Sequence, residues 1–460
     1  MKIQRILAAA SVMTLAGVAT AQQTPAGAVE RITFQQAIEI ALRQNLTVRQ
    51  AENTLENANL AARQAGQPLW PNLNFSLNGS NSFGRAFDPS TGNIYSEQTR
   101  SASSGVSSSF TLFDAGRTRN NIRSARSDAA ATESDLFRQR QTTVYNVAQG
   151  FVAYIDAQSQ LDVQKENLTS LQLQEAQIQR FADAGARPIS DLYQIKSQVA
   201  TAQLAVVRAE AAIENAKFGL MRTLLLDPAK DYEFVPPPIP ESATTINYNL
   251  DSLVSLAYAR RRDVVAAQSR VEAAEYDRRV ARMGHMPSLG LSASYGSNGV
   301  FGRETAPGGL PNSFMDQFDR NRGGSIGLGI SVPVLDRGNT SLSKQRAAIQ
   351  AENAQLQLAT ARQTVALDVR TAWYNVRSAQ QQLVAAQAGL TAASQALEAT
   401  QQRYNVGAAT LLDVTQARAQ RVNAASALAT ARYALLLNQA AMSYFTGELD
   451  PLAMNIGGAR

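Results

Sequence analysis

The chain has 460 residues, no cysteine, a single histidine and a formal net charge of +6. Without cysteine there is no disulfide framework and no thiolate metal site, and a lone histidine, His285, argues against histidine-dependent catalysis and multi-histidine metal binding. The lysines and arginines are spread among acids, which describes a solvated surface and not a nucleic-acid footprint.

Residues 1–21 read as a secretory signal. Lys2 and Arg5 precede an apolar run from Ile6 to Val18, and Ala19-Thr20-Ala21 supplies small residues for cleavage. No later segment has about 20 consecutive apolar residues, so no transmembrane helix is expected. A membrane role therefore falls to strands.

Residues 22–31 read as a flexible mature N-terminus. Thr33 and Gln36 have the spacing of a capping box, and Phe34, Ala37, Ile38, Ala41 and Leu42 recur at helical spacing. The pattern predicts one helix running to about Gly66, where Pro68 and Pro71 end it. A hairpin follows over 72–113. Leu73, Phe75 and Leu77 alternate with polar residues, as do Val106, Phe110 and Leu112. A Gly/Asn/Ser-rich loop is expected between them over 83–100. A second hairpin over 288–335 repeats the device, with Leu289, Leu291, Ala293 and Tyr295, a loop over 301–322, then Ile326, Leu328, Ile330 and Val332. One apolar face and one small polar face suit a membrane barrel with a wet lumen, or the hairpins of a soluble sandwich. Membrane barrels start at about eight strands. Open sheet edges are not tolerated in lipid. Four membrane-spanning strands per chain would thus require several chains to share one barrel.

Each hairpin runs into a long proline-free segment. Asp114 and Asp336 read as its N-caps. The helix-like pattern then continues for about 70 residues, or ~100 Å. In the second copy Val369, Val376, Leu383, Leu390, Leu397 and Tyr404 recur every seventh residue, paired with Ala372, Ala379, Ala386 and Ala393. The first copy has Val147, Tyr154, Leu161 and Leu168 with Gly150 and Ala157. The return helix carries Val414, Leu428, Leu435 and Met442, with Arg421 interrupting the large series. Return helices are about half as long, so a return helix and a pre-hairpin helix stacked end to end would match one long helix.

The whole arrangement occurs twice. Asp336, Gly407 and Asp413 each lie about 222 residues after Asp114, Gly185 and Asp191, the mark of an internal duplication. The repeats span 22–226 and 250–447. Between them lies a linker over 227–249 containing Pro236, Pro237, Pro238 and Pro240, and a short tail covers 448–460. Gly185 and Gly407 stand where a left-handed residue ends a helix. Pro188 and Thr410 suit the next helix start, so both sites read as tight helical tips. Thr410 and Asp413 also make a capping pattern, so Asp413 and Asp191 read either as helix N-terminal carboxylates or as pore-lining acids.

Arg180-Phe181-Ala182-Asp183-Ala184-Gly185 through Asp191, Arg403-Tyr404-Asn405-Val406-Gly407 through Asp413-Val414, the Leu/Phe-Asp-x-Gly strand-to-helix turns, and Pro71 and Pro287 before the first strands resemble the TolC-like outer-membrane efflux proteins. The resemblance covers nearly the whole mature chain. It implies a mainly helical fold with a membrane β-barrel. Long coiled-coil hairpins would form a periplasmic α-barrel, and four strands per chain would enter a shared 12-stranded barrel of a homotrimer. It implies an exit duct in the outer membrane, gated at its periplasmic tips. The partners would be a periplasmic adaptor (membrane fusion protein), an inner-membrane pump and outer-membrane lipid. By position, Asp191, Asp413 and Tyr404 match entrance and gate residues, and Gly185, Ala186, Val406, Gly407 and Ala408 match adaptor-contact turns. Two departures stand out. Ala409 occupies the place of a gate arginine, for which Arg187 or Arg403 are the available substitutes, and Gln416 replaces a second acid. No phosphate loop, dinucleotide motif or triad is present, so neither an enzyme nor a cofactor is expected. The other reading of the heptads is a periplasmic coiled-coil adaptor or scaffold with no membrane span. His285, beside Met286-Pro287, reads as a structural junction residue. Trp70 reads as an interface or packing residue, and Trp373 as inter-helix packing.

Overall fold

The computed structural model describes residues 30–87, 94–235, 249–301 and 314–449. The expected signal, the proline run, the C-terminal tail from 450 and the tips of both strand loops lie outside the described residues.

Strand β1 (Glu30–Thr33) leads into α1 (Phe34–Gln44) and α2 (Leu46–Ala65). Thr33 and Gln36 form the expected capping box. The single helix expected here is two helices, however. Asn45 takes an extended backbone, ends α1, and accepts bonds from the amides of Thr47 and Val48 to start α2. The second repeat breaks in the same way at Arg261, between α5 (Leu250–Arg260) and α6 (Arg262–Arg282). The N-terminal segment expected to be flexible contributes Glu30 and Arg31 to β1. This strand pairs in parallel with β4 (Tyr232–Val235), the start of the expected linker, and so ties the two ends of the first repeat together.

The sheet consists of β2 (Asn74–Phe87), β3 (Ile94–Phe113), β5 (Ser288–Phe301) and β6 (Gly323–Ser331), antiparallel in that order, with β2 and β6 as open edges. The strands intrude on both expected loops. β2 reaches Phe87 and β3 begins at Ile94, while the second loop holds a short helix, α7 (Phe314–Arg320). Ser- and Gly-rich sequence looks like loop, yet its backbone satisfies itself across the ladder as well as any other. Register aligns the alternation. Phe75 faces Val106, and Val106 faces Tyr295. Phe110 faces Leu291, and Leu291 faces Leu328. The opposite face is small and polar, with Ser109 against Ser292 and Ser292 against Gly327. The apolar face is bare in the single chain. Phe75 is 71% exposed and Ile326 83%.

The long helices α3 (Arg117–Asp183) and α8 (Asn339–Asn405) have 67 residues each, and the return helices α4 (Ile189–Leu224) and α9 (Leu411–Thr446) have 36 each. Asp114 and Asp336 do not occupy the cap positions expected of them. Gly116 and Gly338 do, at φ of 88° and 82°. The aspartates act from two residues earlier, each bonding the glycine amide and the amide of Thr118 or Thr340. α3 packs on α4 and α9 toward the tips and on α2 and α6 toward the sheet, while α8 packs on α9 and on α5 and α6. Four helices therefore lie abreast at both levels, and α2 with α4 falls 11 residues short of one long helix, the length of the α1 segment split off at Asn45.

The heptad seam is buried only in part, and Leu383, Leu390 and Leu397 are half-buried. Val369, Ala372, Val376 and Ala379 are buried, as are Val414, Leu428, Leu435 and Met442. Trp373 packs against this cluster. Arg421 leaves the seam to pair with Glu166 at 2.6 Å. The first-repeat core joins Phe34, Phe151, Tyr154 and Phe234 edge to face with Val147, Leu220 and Leu224. Gly150 makes this core possible, since a Cβ there would come within 2.6 Å of the fully buried Leu220 side chain. Gly150→Ala is accordingly expected to lower stability by about 1–2 kcal/mol despite alanine's better helix propensity. A lower midpoint in thermal melts of the helical signal is the check.

Candidate functional site at the helix tips

Both tips are built by the same backbone chemistry. After α3, Gly185 takes φ +68°, its amide bonds the carbonyl of Ala182, and the Ala186 amide bonds that of Phe181. After α8, Gly407 takes φ +80°, with Gly407 to Tyr404 and Ala408 to Arg403. This double bond pattern satisfies the last helical carbonyls and needs a residue at ease with positive φ, hence glycine. Gly185, Ala186, Val406, Gly407 and Ala408 are all exposed.

The second tip restarts through Thr410. Its hydroxyl accepts from the Asp413 amide at 3.2 Å, and the Asp413 carboxylate accepts from the Thr410 amide at 2.8 Å. These bonds, the Thr410 backbone first, hold the Asp413 carboxyl below its ordinary range. Asp413 is thus a working cap with an exposed carboxylate. Asp191, in the first turn of α4, is half-buried, follows Pro188 with no side-chain cap, and lies near Tyr404. Gln416 is exposed on α9.

Arg187 joins the two tips. Its Nη2 donates to the Tyr404 carbonyl at 2.9 Å, and its guanidinium lies 4.2 Å from the centre of the Tyr404 ring. Arg403 instead turns back within its own tip, donating to the Ala408 carbonyl at 3.2 Å. Tyr404 is buried with a hydroxyl that has no partner within the described residues. Burial raises its phenol, and Asp191 adds to this while Arg187 opposes it. Beneath lie Leu171, Ile178, Leu192, Ile195, Leu411 and Val414, with Ala409 packed against them.

Arg418 is buried on α9, donates to the Gln174 side chain on α3, and keeps an unpartnered Nε. Burial, then Arg421, lowers its basicity. Arg418 falls on a polar stretch of the repeat, and nothing local marks it as interior. Away from the tips, His285 sits at the α6–β5 junction with Nδ1 3.4 Å from the Pro333 carbonyl oxygen. Trp70 is 77% exposed, so it does not pack within the chain.

The outer membrane efflux protein family matches residues 37–224 and 253–448, one match in each repeat, and the chain belongs to that family. It is similar to the outer membrane efflux protein BepC of Brucella suis, 25% identical over 50% of this chain and 46% of BepC. It therefore spans about half the length of that relative. Its fold resembles the CmeC outer membrane channel of Campylobacter jejuni, with 19% identity, a TM-score of 0.76, and 92% and 87% of the two chains covered. VceC of Vibrio cholerae is similar too, with 21% identity, a TM-score of 0.73, and 90% and 96% covered. The chain is an outer-membrane protein of the efflux-channel class.

Proposed function

We propose that three copies of the chain form the exit duct of a tripartite export system, which conducts substrate passively from an inner-membrane pump through the periplasm and outer membrane. The observation that carries this reading is a four-stranded sheet with two open edges and a bare apolar face, set on helices of 67 residues. Open edges in lipid must be paired, and neighbouring copies provide the partners. Both margins of the helical layer expose apolar side chains. Leu204, Val207 and Phe218 are exposed on α4, and Ile349, Leu356 and Tyr374 on α8. Helices of that length reach ~100 Å. A scaffold confined to the periplasm would leave the apolar sheet face in water. The duct performs no chemistry of its own.

The gate in this reading lies at the tips, where Asp191 and Asp413 narrow the passage, Arg187 takes over from the arginine missing at Ala409, and the exposed tip turns meet the adaptor. Like charges gathered about a symmetry axis repel and attract cations. Planar-bilayer conductance of the purified mature protein is the test. Discrete steps are expected, and they should grow when Asp191→Asn and Asp413→Asn are combined. Steps unchanged by both substitutions would remove these acids from the constriction, and a folded protein that gives no insertion would overturn the duct.

A further inference from the structure

The positive charge of this chain is concentrated where helices meet sheet. Residues 59–72, 114–127, 274–287 and 334–347 flank the base of the four strands and hold eleven lysines and arginines against four acids. That excess of seven exceeds the net charge of the whole chain, +6. Three of the four acids are already committed. Asp114 and Asp336 bond backbone amides, and Glu275 pairs with Arg278. Arg119, Arg126, Arg282 and Arg337 are exposed and form no ion pair among the described residues. Helix stability accounts for Arg282, in the last turn of α6, but not for the arginines at the start of α3. The first turn of α3 carries arginines and no acid, against the positive end of the helix dipole.

The charges are also sided. Arg119, Arg123 and Arg126 recur at helical spacing on one face of α3, and Arg123 and Arg279 both approach the Tyr276 ring, at 5.8 and 5.1 Å. Asp128 faces Asp277 closely enough for the like charge, after burial, to raise its carboxyl. Immediately toward the sheet, exposed apolar side chains replace the arginines: Trp70, Val334 and Leu335 are 77%, 88% and 91% exposed. Apolar and aromatic residues followed by cations reproduce the layering of a lipid leaflet, acyl chains first and phosphates next.

We infer that this basic belt binds the headgroups of anionic glycerophospholipids in the periplasmic leaflet, with the Arg119–Arg126 face turned outward. Arginine suits the task because its planar fork grips phosphate in two-point fashion and its stem lies along apolar surface. The inference rests on the sheet being the membrane-spanning part.

Native mass spectrometry of the purified full-length protein, given equal amounts of phosphatidylglycerol and phosphatidylcholine, tests it. Wild type is expected to retain phosphatidylglycerol about tenfold over phosphatidylcholine. The combined Arg119→Gln, Arg126→Gln, Arg282→Gln and Arg337→Gln variant should retain the two about equally. Lys196→Gln with Arg208→Gln, exposed on distant α4, should behave as wild type. Raising salt from about 50 to about 500 mM should abolish the wild-type preference, an arm that stands even if the fourfold variant fails to fold. Equal retention by wild type, a preference that survives salt or the fourfold change, or equal loss in the α4 control would each overturn the belt. Retention of neither lipid would instead overturn the membrane-spanning reading of the sheet.

Discussion

Exchange of Arg187 for alanine is expected to raise vancomycin uptake into intact cells severalfold with assembly unchanged. The guanidinium is the direct bond between the tips, donating to the last turn of α8 and covering the Tyr404 ring. Its removal uncovers a backbone carbonyl and one face of a buried aromatic. Such contacts are worth about 1–2 kcal/mol together, a roughly five- to thirtyfold change in the balance between joined and separated tips. Arg187→Lys should fall between, because an ammonium keeps the charge and loses the flat stacking surface. Tyr404→Phe should stay close to wild type, since the lost hydroxyl has no partner among the described residues. Uptake unaltered in Arg187→Ala, from a protein expressed and assembled normally, would mean that the contact does not hold the tips together.

Arg261→Ala is expected to cost about 3 kcal/mol of stability. Arg261 is 4% exposed at the break between α5 and α6, and its guanidinium meets Asp263 at 2.6 Å and Asp368 on α8 at 2.7 Å. Losing the cation leaves two carboxylates facing each other in a partly dry site, though their own exposure of about a third moderates the penalty. The effect should depend on pH with a definite sign. Burial raises the Asp263 carboxyl, but the hydrogen bond and charge of Arg261 outweigh it and hold the group below its ordinary value of 3.8. A depressed folded-state value contributes stability that is complete above the unfolded value and lost as pH falls through the folded one. The gap between wild type and variant should therefore be full at neutral pH and shrink below about pH 3.8. Thermal melts at both pH values decide this, and equal midpoints at neutral pH would refute it.

The features read correctly from the sequence are those closed within a few residues. The capping boxes at Thr33-Gln36 and Thr410-Asp413 and the left-handed glycines Gly185 and Gly407 satisfy backbone groups of the same turn, so spacing alone specifies them. The duplicated long helices and the two-faced hairpins were legible because their periods persist over many residues. Local chemistry could still mislead at its margins. Asp114 and Asp336 do support helix starts, but from two positions further back, because the following glycines supply the turn.

The repeat, the two long helices, the turns at the tips and the outer-membrane class were therefore legible in the chain alone. Which distant groups meet is a matter of packing. The parallel pairing of Glu30 with Tyr232, the clasp of Arg187 on Tyr404, the Arg261 bridge to Asp368 and the burial of Arg418 against Gln174 all join residues far apart in the chain. Each depends on the side-by-side order of four helices, and that order is set by packing of Ala- and Gly-lined surfaces, not by any one residue's propensity. The strands carry the same lesson. Ser- and Gly-rich runs have little strand preference of their own, and they became strand because a neighbour's ladder took up their hydrogen bonds.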